Sequence, residues 1–523
     1  MSYFTNQDQW LAIAETLKPN LIKKSRQPIA VVKVIKNEKS FQGWGVETIG
    51  KPDLVIGVLQ PQTTSFVLDF GEHIVGHLQL KIGLNQYAAD APLRLKMVFA
   101  EVPSEIGESF DPYEGQLSRS WLQDEIITLD DLPCDFTTPR RYAFRYLKIE
   151  IEKSSPWHQI KFDSIICKTI TSGDFDSVQD INKNSTKIWK DLDTVSIRTL
   201  ANCMQTVFED GPKRDRRLWV GDLRMQALAN YHTFKNYDLV KRCLYLFAGL
   251  ADSDGKIMSD LYEKPTVRKG NTYLMDYGAL YPIILYDYFT ETKDLKTATD
   301  LWPTVIRQFD FIMPFINEKG LFDSPASIRI FIDWCEPLHR QASMHAIIIY
   351  CFRRVIRLGK ALGNQNSVEP IVEILKKMEM ATHQNFWDAK QKVWVSGPNK
   401  QASWATWAWM VLAEISTGEN AKQSYSHLTQ LKDAIKPNGP YLYHHMVEAL
   451  LICGLKNEAK QLLKEYWGGM LKKDATTFWE VYSPNDEKLS PYNSYHINSY
   501  CHAWSCTPTY FIRKYFTVDD LNQ

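Results

Sequence analysis

Residues 207–225 read "VFEDGPKRDRRLWVGDLRM", and nine of these 19 residues are charged. The residues leading into this stretch, Ile197, Leu200, Cys203, Met204, Val207 and Phe208, recur at helical spacing and form one apolar stripe. The sequence that follows, "LRMQALANYHTF", also reads as a helix. A charged link broken by Gly211-Pro212 between two buried helices can aim several side chains at one cavity. It also marks the chain from here onward as helical.

Working outward, the helical period holds from about residue 177 to the C-terminus. It passes through "DLVKRCLYLFAGLA", "GALYPIILYDYFTE", "MHAIIIYCFRRVIRLGKALG", "ASWATWAWMVLAEIS" and "EAKQLLKEYWGGML", with turns such as "DSDGK" and "NEKG" between segments. About ten to twelve helices with no convincing strand among them predict helical hairpins closing into a toroid. From about residue 28 to 172 the period is two instead. "HLQLKI" (77–82), "PLRLKMVFAE" (92–101) and "YLKIEIE" (146–152) each predict a strand with one buried face, and together they predict a sandwich. The expected architecture is multidomain β + α, with a β-sandwich over residues 1–172 and the toroid over 173–523. The sandwich is expected to carry none of the reacting groups.

At 523 residues and roughly 150 per domain, the chain can hold two to four domains with sizeable cores. Sixty-one basic residues balance 61 acidic ones, so no overall field favours nucleic acid or an anionic membrane, and a neutral ligand is expected. The nine cysteines are odd in number and contain no CxxC pair, which argues for free thiols in a reducing compartment. The start, "MSYFTNQDQWLAIAE", lacks the features of a signal peptide, and no apolar run reaches the roughly 18 residues of a membrane span. A cytoplasmic protein is expected, and a homodimer is compatible with the sequence.

Several carboxylates stand beside indoles. Asp222 follows Trp219 and Gly221, where it either caps the next helix or faces a ligand stacked on the ring. Glu480 lies in "TTFWEVYSPNDEKLS" (476–490), beside Trp479 and ahead of a Pro-Asn-Asp loop, a position suited to a general base. "FIDWCEP" supplies Asp333 and Trp334, and "NSYCHAWSCTPTYFIRKY" (498–515) sets His502 and Trp504 in what reads as a terminal helix. The opening stretch adds Asp210, Arg214 and Asp215. Each of these residues could equally belong to a structural ion network. "DSDGK" has its glycine at the wrong position for a calcium loop, and the adjacent His444 and His445 diverge on a helix, so no metal is expected. The sequence has no Walker loop, GxSxG or dinucleotide fingerprint, and no cofactor is expected. Two separated carboxylates among aromatic rings are the equipment of a glycosidase.

The chain resembles the α-L-rhamnosidases of glycoside hydrolase family 78, in particular their compact two-domain members. "LDFGEHIVGHLQLKI" (68–82) is similar to the family's "DFGQNxxG" strand, and "TPRRYAFRYLKIEI" (138–151) to its closing strand. "SGDFDSVQDINKNSTKIWK" (172–190) resembles the opening of its (α/α)6 barrel, a six-hairpin toroid. "EDGPKRDRRLWVGD" is similar to "DCPQRDERLGWTGD", "FIDW" to "GDW", "TTFWE" to "TMWE", and "CHAWS" to the family's late His-containing segment. The resemblance implies an exo-acting inverting hydrolase that releases terminal α-L-rhamnose from small rhamnosides. Under it Asp210, Arg214, Trp219 and Asp222 fall on sugar-binding positions, Trp334 on a stacking ring, Glu480 on the general base and His502 on a subsite. Asp215, Asp333 and Trp479 complete the expected binding set.

One position departs from the pattern. The family's usual acid, the Glu of "RDER", is Arg216 here, and arginine cannot donate a proton near neutral pH. Asp222 is expected to replace it as general acid. Its rival Asp215 stands between Arg214 and Arg216, an arrangement that suits ion pairing better than proton donation. Two alternatives remain: a catalytically impaired rhamnoside-binding protein, and another (α/α)6 hydrolase such as an unsaturated glucuronyl hydrolase, for which Arg214 and Arg216 could bind a uronate.

Overall fold

The computed structural model describes residues 3–85, 89–181 and 183–522. Met1 and Ser2 of the quoted start, and Asn182 of the barrel-opening motif, lie outside them.

Nine antiparallel strands build the N-terminal half: β1 (Ile22–Arg26), β2 (Ala30–Lys36), β3 (Trp44–Gly50), β4 (Ser65–Leu84), β5 (Leu93–Ala100), β6 (Asp124–Leu129), β7 (Cys134–Thr137), β8 (Tyr142–Lys153) and β9 (Ile160–Thr171). The 20-residue β4 belongs to both layers. Its first part pairs with β2 and β8, and its last part pairs with β7 and β9. The β4–β8 register breaks between Asp69 and Ile74, and the pairing resumes at Ile74 with Phe144. Gly71 sits in that break at φ +82°, a conformation that a side chain would strain. Leu68, Leu78, Leu95, Leu147, Ile149 and Phe162 meet between the layers as one buried core. The alternation of "YLKIEIE" is the imprint of this arrangement, since Leu147, Ile149 and Ile151 all point inward.

In the C-terminal half, twelve helices of eight or more residues follow among the described residues: α3 (Lys187–Cys203), α4 (Val220–Tyr231), α5 (Tyr237–Gly249), α6 (Met275–Thr292), α7 (Leu295–Phe309), α8 (Gln341–Ala361), α9 (Gln365–Phe386), α10 (Trp404–Leu412), α11 (Gly418–Gln430), α12 (Pro440–Ile452), α13 (Lys456–Leu471) and α14 (Pro508–Tyr515). The even-numbered helices pack side by side in sequence, and residues 503–505 with α14 close the ring onto α4. The odd-numbered helices lie outside them. Burial tells the rings apart. All residues of α4 are buried, whereas α9 buries one stripe containing Val368, Ile371, Leu375 and Met378. This is the (α/α)6 barrel. No described helix is long and apolar enough to cross a membrane.

Two expectations change. The helical half does contain strands, β10 (Leu218–Trp219), β11 (Asp260–Tyr262), β12 (Arg268–Lys269), β13 (Trp387–Asp388), β14 (Val393–Ser396) and β15 (Gln401–Ala402). Pieces of two to four residues are too short to print a period of two. Nor do the first residues join the sandwich. Helix α1 (Gln7–Thr16) buries Trp10 and Ala14 and packs on α5, with the Gln7 side chain donating to the Ala251 carbonyl at 2.8 Å. The one remaining element of note is α2 (Ser104–Gly107), a single turn after β5 whose Glu105 reaches Lys213 of the helical half.

Candidate active site

All six inner helices begin at the same end of the barrel. The long connections 250–274, 310–340, 387–403, 431–439 and 472–507 cluster there, while the links at the other end have two to five residues. Long loops over the positive ends of helix dipoles suit a site for polar ligands and carboxylates. A cavity of about 1310 Å³ opens at this end. Asp210, Arg214, Asp215, Trp219, Asp222, Asp333, Trp334, Glu480 and His502 all line it, as does Gln116 from the sandwich.

Glu480 is buried in the irregular connection after α13, its N–H donating to the Ser499 carbonyl at 2.9 Å. Its carboxylate contacts the Arg214 guanidinium and accepts from the Tyr492 hydroxyl at 2.6 Å and the Ser499 N–H at 3.0 Å. Burial resists ionisation, but the charges of Arg214 and His502 and these hydrogen bonds outweigh it, holding the pKa down at about 2. Asp222 lies in the first turn of α4 and is equally buried, yet no arginine among the described residues pairs with it. Burial therefore pushes its pKa up against the pull of His502, and the negative charge of Glu480 adds to the rise. Asp222 Oδ1 stands 3.2 Å from His502 Nε2, within ion-pair range though not aligned as a hydrogen bond. For His502 the order of effects is reversed. Burial disfavours its charge, and the surrounding carboxylates Asp222, Glu480 and Asp210 prevail, raising its pKa.

The remaining carboxylates differ in what they hold. Asp210 accepts the N–H groups of Asp215 (3.2 Å) and Arg217 (3.0 Å), and burial with the nearby Asp215 pushes its pKa up to about 8. Asp333 takes the N–H groups of Trp334, Asn438 and Gly439 at 2.9, 2.7 and 3.0 Å, joining two rim loops, and burial raises it to about 7. Asp215 faces Arg214 at 3.4 Å and Arg217 at 3.9 Å. Trp219 stands edge-on to Tyr277, and Trp334 edge-on to Tyr492, giving flat apolar walls beside polar groups.

Three sequence expectations are corrected. Trp479 is not in the cavity: it is buried and stacks on Phe41 at 4.2 Å, while its neighbour Glu480 lines the cavity. His502 is not helical. Its φ/ψ of −136°/130° is extended, its N–H donates to the Phe478 carbonyl, and α14 starts only at Pro508, whose missing N–H suits a first helical turn. Arg216, on the family's acid position, leaves the cavity altogether. It donates to the carbonyls of Pro212 (2.7 Å) and Arg141 (3.0 Å), so the arginines around Asp215 are Arg214 and Arg217.

Other groups were not anticipated. Tyr492 sits in the irregular "SPYNSY" loop, where no periodicity singles it out, yet it reaches Glu480 and lies under the Arg214 guanidinium. Trp504, noted only as a neighbour of His502, lines the cavity and donates from its indole N–H to the Glu480 carbonyl at 3.0 Å.

A six-hairpin barrel with Asp222 and Glu480 buried in its open end and a β-sandwich docked beside them defines a glycosidase class. Residues 182–516 match the model of the bacterial α-L-rhamnosidase six-hairpin glycosidase domain, and residues 28–169 that of the glycosyl hydrolase family 78 α-rhamnosidase N-terminal domain. The chain belongs to glycoside hydrolase family 78, the α-L-rhamnosidases. A solved rhamnosidase from Klebsiella oxytoca with rhamnose bound is 40% identical, with 97% of this chain and 98% of that one covered and a TM-score of 0.94. Two more distant structures share the fold. The family 78 rhamnosidase of Bacillus sp. GL1 is 20% identical, covering 90% of this chain and 49% of that one with a TM-score of 0.74. The Streptomyces avermitilis α-L-rhamnosidase complexed with L-rhamnose is 16% identical, covering 95% and 44% with a TM-score of 0.67. No curated protein matched the chain.

Proposed function

We propose that this α-L-rhamnosidase is exo-acting and inverting, with Asp222 as general acid and Glu480 as general base. The observation that carries the reading is the separation of the two carboxyl groups by their surroundings. Arg214 keeps Glu480 ionised, whereas burial without a cationic arginine favours the protonated form of Asp222. In the reaction the Asp222 proton passes to the glycosidic oxygen as the bond from that oxygen to C1 breaks. Glu480 takes a proton from a water whose oxygen bonds to C1 on the opposite face, giving β-L-rhamnose and the free aglycone. His502 beside Asp222 steadies the carboxylate left after the transfer. The helical half from residue 173 supplies these groups, and the strand half up to 172 frames them.

A cavity of about 1310 Å³ exceeds the volume of one monosaccharide, which supports a rhamnosyl unit with a small aglycone. A uronate-specific hydrolase fits less well. Arg214 is engaged by Glu480 and the Ile497 carbonyl, and Arg216 points elsewhere. The free buried thiols of Cys203 and Cys501, neighbours in one cluster, support a cytoplasmic setting.

The reading predicts specificity for a neutral 6-deoxy sugar. A methyl at C6 needs an apolar wall where a hydroxymethyl group would need donors, and an unpaired buried polar group costs about 1–3 kcal/mol. Turnover of nitrophenyl α-L-rhamnoside should therefore exceed that of nitrophenyl α-D-mannoside by on the order of 10–10²-fold. Equal kcat/KM for the two glycosides would remove the basis of the assignment.

A further inference from the structure

A second buried charge network lies behind Glu480, outside the cavity. Lys213 stands one residue before Arg214, and its ammonium contacts Glu105 of α2 and lies 3.6 Å from Glu101, which follows β5. It also donates to the carbonyls of His496 (2.9 Å) and Asn498 (3.0 Å). An ammonium has three donors, and all three are in use. The carbonyl between those two, that of Ile497, accepts from Arg214 Nε at 2.9 Å. Ser499 gives its N–H to Glu480 and its hydroxyl to the Arg214 carbonyl, both at 3.0 Å, and the Tyr500 N–H goes to Glu101 at 2.8 Å. Five consecutive residues, 496–500, are thus held by Lys213, Arg214, Glu480 and Glu101.

The two ends of this network differ in origin. Glu101 and Glu105 come from the strand half, whereas Lys213, Arg214 and Glu480 come from the barrel. Burial raises the pKa of Glu105 against the attraction of Lys213, so the carboxyl depends on that partner for its charge. A buried ammonium is tolerated only when fully hydrogen-bonded. Its position here therefore fixes the backbone that it bonds.

We propose that Glu105 and Lys213 are positioning residues for rhamnoside hydrolysis: Glu105 seats Lys213, and Lys213 seats the 496–499 backbone against which the Glu480 carboxylate is held. The proposal rests on Glu480 being the base. It gives the sandwich a part in catalysis, exerted through the barrel loop 209–217 rather than by contact with the sugar. The titratable and charged groups around the pair are Glu101, His73, His496 and Tyr500, and those around Glu480 are Arg214, Tyr492, His502 and Asp222.

The test replaces the ion pair by apolar groups of similar size, Glu105→Leu with Lys213→Met, since such an exchange often preserves stability while removing the hydrogen bonds. The expected enzyme melts like the wild type and keeps its KM, but its kcat is lower by on the order of 10–10²-fold, the scale of a misplaced reacting group. Its kcat/KM at about pH 4, relative to neutral pH, should also fall, because a loosened Glu480 regains a proton more readily and the base must be ionised. If the double variant is too unstable to assay, Glu105→Gln, which keeps the shape, should show the same direction at smaller size. Wild-type kcat with an unchanged acid limb in either variant overturns the proposal. Glu480→Gln assayed alongside with azide separates the two claims. A Glu480→Gln enzyme that stays active refutes the base assignment and the proposal with it, whereas an inactive, azide-rescued one beside a fully active pair variant refutes only the positioning role.

Discussion

Asp222→Asn is expected to lower turnover by on the order of 10²–10⁴-fold, while Asp215→Asn keeps most of its activity. Asparagine preserves the size of the side chain and removes only the transferable proton. The loss should be greatest on alkyl rhamnosides, whose leaving oxygen needs that proton, and smallest on nitrophenyl rhamnoside, whose leaving group does not. The prediction follows from position. Asp222 is buried in the first turn of α4 with His502 as its one ionic partner among the described residues, and burial shifts it toward its acid form. Asp215 faces Arg214 and Arg217 instead. In wild type the alkaline limb of kcat/KM belongs to the acid, so activity should persist above the ordinary carboxyl range and disappear as pH rises through the elevated Asp222 value. Full activity in Asp222→Asn beside an inactive Asp215→Asn would reverse the two roles.

Glu480→Gln should cost a similar factor, on the order of 10²–10⁴ in kcat, and azide should restore turnover by attacking in place of water. This residue has a structural role as well, which decides the choice of variant. A pKa held at about 2 instead of 4.5 corresponds to about 3 kcal/mol of native-state stabilisation. The folded value is the depressed one, so this contribution is complete above the unfolded value and is lost as pH falls through about 2. Removing the carboxylate takes from buried Arg214 its nearer anion and leaves it Asp215 at 3.4 Å. Glutamine still offers Arg214 an oxygen, whereas alanine offers none, so Glu480→Ala should melt well below Glu480→Gln. Equal stability of wild type and both variants at neutral pH, followed by thermal melting, would show that the Arg214–Glu480 contact contributes nothing net.

The sequence brought forward residues that line the cavity more readily than it indicated their geometry. The Trp-Val-Gly-Asp and Trp-Glu runs brought Asp222 and Glu480 forward, and the charged link between two apolar helices singled out Asp210, Arg214 and Asp215. All five line one cavity, because the loops that carry them meet at the end of the barrel where the inner helices begin. Trp479 stands outside the cavity although it adjoins Glu480, because adjacency on the chain carries no information about facing. His502 was placed in a helix because "CHAWSC" is apolar enough to continue one. The backbone bonds that hold this segment, from the His502 N–H to the Phe478 carbonyl and from the Ala503 N–H to the Asp210 carbonyl, go to residues distant in sequence.

The Glu105–Lys213 pair was unreadable for a similar reason. Its partners are 108 positions apart and belong to halves with different periods, so no local pattern joins them. The general architecture was easier. Period two up to about residue 172 and the helical period beyond it reflect cores that are each filled locally, by Leu147 and Ile149 in the sandwich and by the fully buried α4 in the barrel. Helix α1 crosses that division because Trp10 finds its burial on α5, a contact no segment-by-segment pattern contains.

The pairing of Asp222 as acid with Glu480 as base is tested most directly by the anomer that leaves the enzyme first. Proton NMR during hydrolysis of an α-L-rhamnoside, recorded before mutarotation equilibrates the sugar, should show β-L-rhamnose appearing initially and the α-anomer growing later. That order follows if Glu480 delivers water to the face opposite the bond that Asp222 protonates. Initial release of α-L-rhamnose would mean a covalent intermediate and two displacements, and would contradict the assigned roles.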